Sequence, residues 1–247
     1  MTGFPGGTAL SRIRVYDWPG ADGLPGGTPH LHTASTEGYV VLAGHGTLET
    51  LSGDGYQEHP LRPETVLWFT PGTVHRLVNA GGLELLVLMS NAGLPEAGDA
   101  VLTFPPEVLA DPVAYDAAAT LPATATASAT ATAAATAAAA TAAAATRRRD
   151  LAVRGYLALR ERVRAGGPGA LDPLYQAAAA LVRERVPEWR EWWRGGPLAR
   201  AVDTGDHLDL LGAGHSSHLA TSAVHTAAPA ATRWGMCGHL TGWRITG

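Results

Sequence analysis

Residues 117–146 read AAATLPATATASATATAAATAAAATAAAAT, a run with no charge and almost nothing to bury. A core needs side chains that leave water, so whatever packs in this chain must be built from residues before and after this run. Alanine favours helix and threonine weakens it, which predicts a partly helical or disordered linker at 113–147 between a unit at 1–112 and another at 148–247. The 247 residues suit one domain with an appendage. Hydrophobic residues make up 46% and charged ones only 16%, as in a globular protein, and no apolar stretch approaches the ~20 residues of a membrane-spanning helix. The N-terminus, MTGFPGGTALSRIRVYDWPG, lacks the basic start, apolar stretch and cleavage site of a secretory signal, so a cytoplasmic protein is expected.

Residue types exclude several chemistries. The chain has no lysine, so all 18 basic side chains are arginine and mechanisms using a lysine Schiff base or lysine general base are ruled out. A single cysteine, Cys237, rules out an intrachain disulfide and a Cys-rich zinc finger. Charge is divided along the chain: residues 1–146 hold 4 Arg against 13 Asp and Glu, a net of −9, and residues 147–247 hold 14 against 9, a net of +5. Either the Arg-rich helix faces are simply solvated, or the halves dock on each other, or the basic half meets an anion.

Between residues 12 and 104 the chain reads as short β segments: 12–18, 37–43, 46–51, 65–70, 73–79 and 83–89. Turn signals at SGDG (52–55), PG (71–72) and AGG (80–82) separate them, the spacing of an all-β sandwich or barrel. Within that region, GTPHLHTASTEGYVVLAGHG (27–46) sets two histidines two apart and a glutamate five further on. Side chains alternate across a strand, so His30 and His32 project to one face and both imidazoles reach one ion, while Glu37 returns from beyond a short turn. Downstream, TPGTVHRLVN places His75 after a Pro-Gly turn. Three imidazoles and one carboxylate suit one divalent transition metal ion per barrel: Fe, Mn, Ni, Co, Cu or Zn. Mg and Ca prefer all-oxygen sites.

The arrangement resembles the cupin superfamily. His30, His32, Glu37 and Gly44 fit the intervals of its first motif, and Gly72, His75 and Asn79 those of its second. Glu64 stands where the second motif usually opens with Gly, and Thr70 where it has Pro, with Pro71 one place later. These departures touch turns and leave the ligand positions intact. The resemblance covers about residues 10–105 and implies a mainly β fold, a double-stranded β-helix (jelly roll) closed as a small barrel around the metal. It does not supply a reaction, since the family spans dioxygenases, isomerases, epimerases, decarboxylases, storage proteins and sugar-sensing modules.

If His75 faces the interior, alternation turns Leu77 inward, and if Glu37 does, Tyr39 follows. Tyr39, Trp68, Leu77, Leu85, Val87 and Met89 are then the expected lining of a substrate pocket whose main polar anchor is the metal. Such a site permits a dioxygenase, which needs little else from the protein. An isomerase or epimerase needs a base beside the metal and, for phosphorylated substrates, a cationic clamp. The β region offers only Arg12, Arg14, Arg62 and Arg76, and Arg76, next to an inward His75, is expected to point outward. His45 and His59 read as loop histidines. The expected function is therefore a metal-dependent cupin acting on a small organic molecule, an oxidoreductase of dioxygenase type. The alternatives are a metal-dependent isomerase or epimerase, or a non-enzymic cupin that binds or senses a sugar-like small molecule.

Beyond the Ala/Thr run, Ala152, Tyr156, Leu159 and Val163 recur at helical spacing. A following helix is expected from Asp172, with an apolar stripe Leu174, Ala178, Leu181, Val182, Val186, Trp189 and Trp193 and a kink at Pro187. The expectation for 148–247 is thus an α-helical C-terminal extension, with Gly- and His-rich residues 203–247 read as loops and short strands, that covers the barrel or mediates self-association as a homodimer. Arg147–Arg149 and EWREWWRGG (188–196) raise the question of nucleic acid, but interleaved Glu184, Glu188 and Glu191 point to an amphipathic packing helix, and neither nucleic acid nor membrane is expected as a partner. His215, His218 and His225 lack an acidic or Cys partner nearby, so a second metal site is not expected. Cys237 reads as a buried thiol rather than a reactive one.

Overall fold

The alternating segments of residues 12–104 do become sheet. The computed structural model describes residues 4–122 and 130–246. Its strands are β1 (Ala9–Val15), β2 (His30–His32), β3 (Glu37–Ser52), β4 (Gly55–Leu61), β5 (Val66–Phe69), β6 (Val74–Met89), β7 (Ala100–Leu102), β8 (Thr226–Pro229), β9 (Arg233–Trp234) and β10 (Gly238–Thr246). Helices are α1 (Pro106–Leu109), α2 (Pro112–Ala119), α3 (Ala131–Gly166), α4 (Asp172–Val182), α5 (Val186–Trp193) and α6 (Ala199–Gly212). No helix of the described residues is long and apolar enough to cross a membrane.

The four segments expected at 37–43, 46–51, 73–79 and 83–89 are two long strands. β3 and β6 pair antiparallel from Glu37↔Met89 to Leu51↔Val74, with register shifts between Val41 and Gly46 where the ladder bulges. Glycine makes this possible: Gly44 has φ +70°, and a Cβ on Gly46 would stand 2.1 Å from the Val78 carbonyl oxygen. Asn79 fastens the bend by donating to the carbonyls of Val15 and Tyr16 and accepting from the N–H groups of Gly81 and Leu83. The bent strands fold the sheet over its own apolar face, consistent with a jelly roll.

A closed barrel, however, is not what forms. The antiparallel sheet runs β4–β3–β6–β1–β10–β8, with β2, β5, β7 and β9 attached to its sides. The second edge of β1 is taken by β10, from Ser11↔Gly242 to Val15↔Gly238, so β1 is not available to complete a ring with β4. The C-terminal extension is helical as far as Gly212, ten residues into the stretch read as loops and short strands, and its last part returns as the short strands expected there.

Of the Ala/Thr run, residues 123–129 lie outside the described residues, and 131–146 form the first half of α3. Thr130 caps it by accepting from the Ala133 N–H, and Thr141 and Ala145 are buried. Its second half buries Ala152, Tyr156, Leu159 and Val163 as the spacing predicts, against Leu31, Leu51, Val74 and Phe104 of the sheet side. Gly155 allows the approach, since a Cβ there would meet the Thr103 carbonyl oxygen at 2.0 Å. Beyond it, α4 and α5 bury Leu174, Ala178, Val182 and Trp189 while Val186 and Trp193 stay more than a third exposed. A turn of 3-10 helix at Arg183–Arg185 separates the two, ahead of Pro187.

Candidate metal centre

Three strands bring the site together. β2 carries His30 and His32, β3 opens with Glu37, and β6 opens just before His75, with His30 and His75 directly paired across the ladder. The four side chains are buried, and each offers a ligand atom within 4.8 Å of the others. Glu37 Oε2 lies 3.1 Å from both His32 Nε2 and His75 Nε2.

Backbone geometry sets the rings. His30 Nδ1 is 2.9 Å from the Thr28 carbonyl and His75 Nδ1 is 3.1 Å from the Thr73 carbonyl, in each case two residues upstream. A carbonyl only accepts, so Nδ1 carries the proton and Nε2 keeps its lone pair toward the centre. His32 turns Nδ1 toward Asp99 Oδ2 at 3.4 Å. That carboxylate, fully buried, accepts from Thr33 N and Oγ1, Ala34 N and Ser35 N. Asp99 carried no signal in the sequence: it follows a glycine in a turn-like stretch, far along the chain from the histidines it serves.

Electrostatics fit a cation. Burial, together with the neighbouring His75 and His32, holds His30 well below its ordinary pKa. Burial would raise Glu37, but His75 and His32 outweigh it and keep the carboxylate ionised. Burial likewise opposes charge on His32, yet the flanking Asp99 and Glu37 push it up to about 9 in the metal-free protein. His75 Nε2, left with its lone pair, faces Glu37 Oε2 at 3.1 Å, two buried acceptors pointed at each other, a costly arrangement that a bound ion relieves. With the His32 proton displaced by the ion, three imidazole nitrogens and one carboxylate oxygen form a donor set for a transition metal, so the residues present fit the group.

The centre opens into a cavity of about 880 Å³ lined by His30, His32, Glu37, Val87 and Met89 from the sheet. Its other wall is the C-terminal segment, with Trp234, Met236, Cys237 and Trp243, and Arg148 of α3 joins it. Tyr39, Leu77 and Leu85 are buried in the adjoining core rather than on the cavity wall. Trp68 is a correction: it pairs with Gly38 on β3, hence faces opposite to Glu37, and is 71% exposed. Val66, Leu42 and Leu88 are also exposed.

Arg76 points away from the tetrad as alternation requires, but it is buried rather than solvated, held by Asp22. His45 is exposed at the bulge and His59 bonds Thr50. The C-terminal histidines stay apart from the centre, His218 stacking on His207, and the tetrad is the metal-compatible cluster found among the described residues. Burial first, and then the Glu37 charge, raise the Cys237 thiol above its ordinary range, which keeps it protonated.

Among solved structures, Streptomyces PAC13 with uridine is similar at 16% identity and a TM-score of 0.26, over 34% of this chain and 58% of that one. The WlaRB TDP-quinovose 3,4-ketoisomerase from Campylobacter jejuni is similar at 23% and 0.29, over 33% and 60%. A cupin protein from Bacteroides fragilis is similar at 19% and 0.26, over 35% and 65%. This chain thus spans about three fifths of the length of these relatives. No curated protein matches it. Residues 16–90 match the family model for the cupin domain. That match spans both motifs and all four clustered side chains, so residues 16–90 of this chain are similar to a cupin domain.

Proposed function

We propose that this cupin binds one divalent transition metal at His30, His32, Glu37 and His75 and acts there on a small organic molecule, as an oxidoreductase of dioxygenase type. The observation that carries the reading is the buried cluster of four ligand atoms within 4.8 Å of one another, of which His30, His32 and Glu37 line the cavity. A bound ion supplies Lewis acidity and, if iron or copper, redox chemistry. The chain's own residues do the rest. Carbonyls of Thr28 and Thr73 fix the imidazoles of His30 and His75, and Asp99 orients His32. Val87, Met89 and Trp234 exclude water around a substrate. Tyr39, beside this site, keeps its hydroxyl proton because burial and the Glu37 charge raise its pKa.

The engagement of the cavity's second carboxylate favours oxidation over isomerisation. Outside the tetrad, the carboxylate among its described lining residues is Glu96, which is engaged by the Gly93 N–H at 3.1 Å. Elemental analysis of protein purified without chelators, beside a His30→Ala/His75→Ala double variant, tests the reading. About one equivalent of metal in the parent and none in the variant is expected. Oxygen consumption by iron-loaded protein with a candidate substrate then separates a dioxygenase from a binding module, which holds ligand without turnover. Metal-free parent protein that stays metal-free on loading sinks the proposal.

A further inference from the structure

Among the described residues three arginines are buried, and their charges are answered differently. Arg76 is held by both oxygens of Asp22, at 2.6 and 3.0 Å. Arg149 donates to Asp150 Oδ1 and to the carbonyls of Trp18 and Pro19. Arg148, its neighbour on α3, is 8% exposed and meets no carboxylate within ion-pair distance among the described residues. It donates from Nη2 to the Gly235 carbonyl at 2.7 Å and from Nη1 to the Ala119 carbonyl at 3.3 Å, and its Nε–H has no partner.

A guanidinium does not give up its proton in a protein, so Arg148 is a permanent buried charge without a counter-ion. It lies on the wall of the cavity that holds His30, His32 and Glu37. Much of the remaining lining is apolar or aromatic, including Val87, Met89, Trp234 and Trp243. With a dication on the tetrad, Glu37 is neutralised and the buried charge of the cavity is positive. That is a chamber for an anion with an apolar body.

We propose that Arg148 is the carboxylate-binding residue of this cavity, so that the substrate of the proposed metal centre is a carboxylic acid with an apolar or aromatic body. The inference rests on the metal reading for the substrate's role and on Arg148 alone for its charge. The two backbone carbonyls pin the guanidinium plane and take two of its five N–H donors, and the residue lines the cavity with donor capacity to spare. One positive charge suits a monoanion. A phosphate dianion would call for more donors than this wall offers, since Arg233, the other arginine there, is exposed.

Calorimetric titration with benzoate and with benzamide, its uncharged analogue of like size, tests this in metal-loaded protein, in EDTA-treated protein and in Arg148→Gln. Gln keeps an amide that can donate to the Gly235 carbonyl, and circular dichroism checks its fold. Benzoate is expected to bind about 10- to 100-fold tighter than benzamide in both parent samples, the usual effect of a charged hydrogen-bonding partner. The preference should vanish in Arg148→Gln and survive in part in Arg148→Lys. No preference in the parent overturns the inference, as does a preference that persists in Arg148→Gln. A preference that disappears with the metal also overturns it, because the ion and not Arg148 would then hold the carboxylate. Tighter binding of phenyl phosphate than of benzoate overturns the carboxylate assignment. Metal content measured on the same samples keeps this test separate from that of the metal centre: a parent without metal defeats the proposed function, while the benzoate comparison still judges Arg148.

Discussion

Asp99 shows how much of a metal site lies outside its ligands. Burial would raise its pKa, but His32, Thr33 and Ser35 hold it well below the ordinary range, so it stays an acceptor for the turn that joins β2 to β3. Asp99→Asn should lower metal affinity about 10- to 100-fold, as loss of an outer partner of a ligating histidine does. It should also cost about 1–3 kcal/mol of stability by stranding buried donors. A competition titration against a coloured chelator, beside thermal melts, reads both, and unchanged affinity would show that Asp99 merely braces the turn. Asp22 makes a parallel case in the core. Burial opposes its charge, yet the Arg76 guanidinium prevails and lowers its pKa. A carboxylate depressed in the folded state stabilises fully above its unfolded value of about 4, and that contribution is lost as pH falls through the lower folded value. Asp22→Asn should therefore flatten the acid limb of the Tm–pH curve and cost about 3 kcal/mol, because Arg76 keeps only Glu49 at 3.8 Å. The tetrad itself was legible because alternation along a strand turns His30 and His32 to one face. Asp99 and Arg148 were not, since nothing local in GLPEAGDA or TRRRD says which distant surface each will meet.

Strand lengths were misread where one residue type serves two purposes. AGG at 80–82 reads as a turn separating two β segments, and in the structure it is the outer side of a bend within one continuous strand. Only the pairing of β3 with β6 along both halves distinguishes the two, and that pairing is a long-range fact. The bend is enforced sterically at Gly46, whose φ is ordinary but whose missing Cβ leaves room for the Val78 carbonyl. Gly46→Ala should destabilise by about 1–3 kcal/mol or more in denaturant unfolding, as overpacking does. Gly53→Ala, with open space around it and no positive φ, should fall within about 0.5 kcal/mol of the parent. Equal effects at both positions would mean that the bulge relaxes freely and does not fix the shape of the site. Helix α3 was legible from 150 onward by its apolar spacing. The Ala/Thr part was ambiguous because its helical propensity comes without an apolar stripe to say where it docks.

Across the whole molecule, the opposite charges of the two halves do meet in part: Arg160 of the basic half reaches Glu49 at 3.5 Å, and Arg185 reaches Asp116 at 3.7 Å. Such partly exposed pairs contribute little, and the larger joint is apolar. Leu31, Leu51, Val74 and Phe104, each 2% exposed or less, share one cluster with Ala152, Tyr156 and Leu159. Burying a side chain of this size is worth about 1.5–3 kcal/mol, so uncovering four of them removes a sum comparable to the 5–15 kcal/mol that typically holds a domain folded. A chain ending at residue 112 would uncover that face and also free the edge of β1 that β10 covers, two routes to aggregation at once. It should therefore melt without a cooperative transition, bind the hydrophobic dye ANS and elute as aggregates, whereas the full chain melts sharply. It should also lose tight metal binding, although it keeps all four ligands, because the wall of Trp234, Met236 and Cys237 that shields them from water is gone. A monomeric, cooperatively folded 1–112 fragment with unaltered metal affinity would reverse this argument: the β unit would then be self-sufficient, and the C-terminal wall would serve the ligand alone.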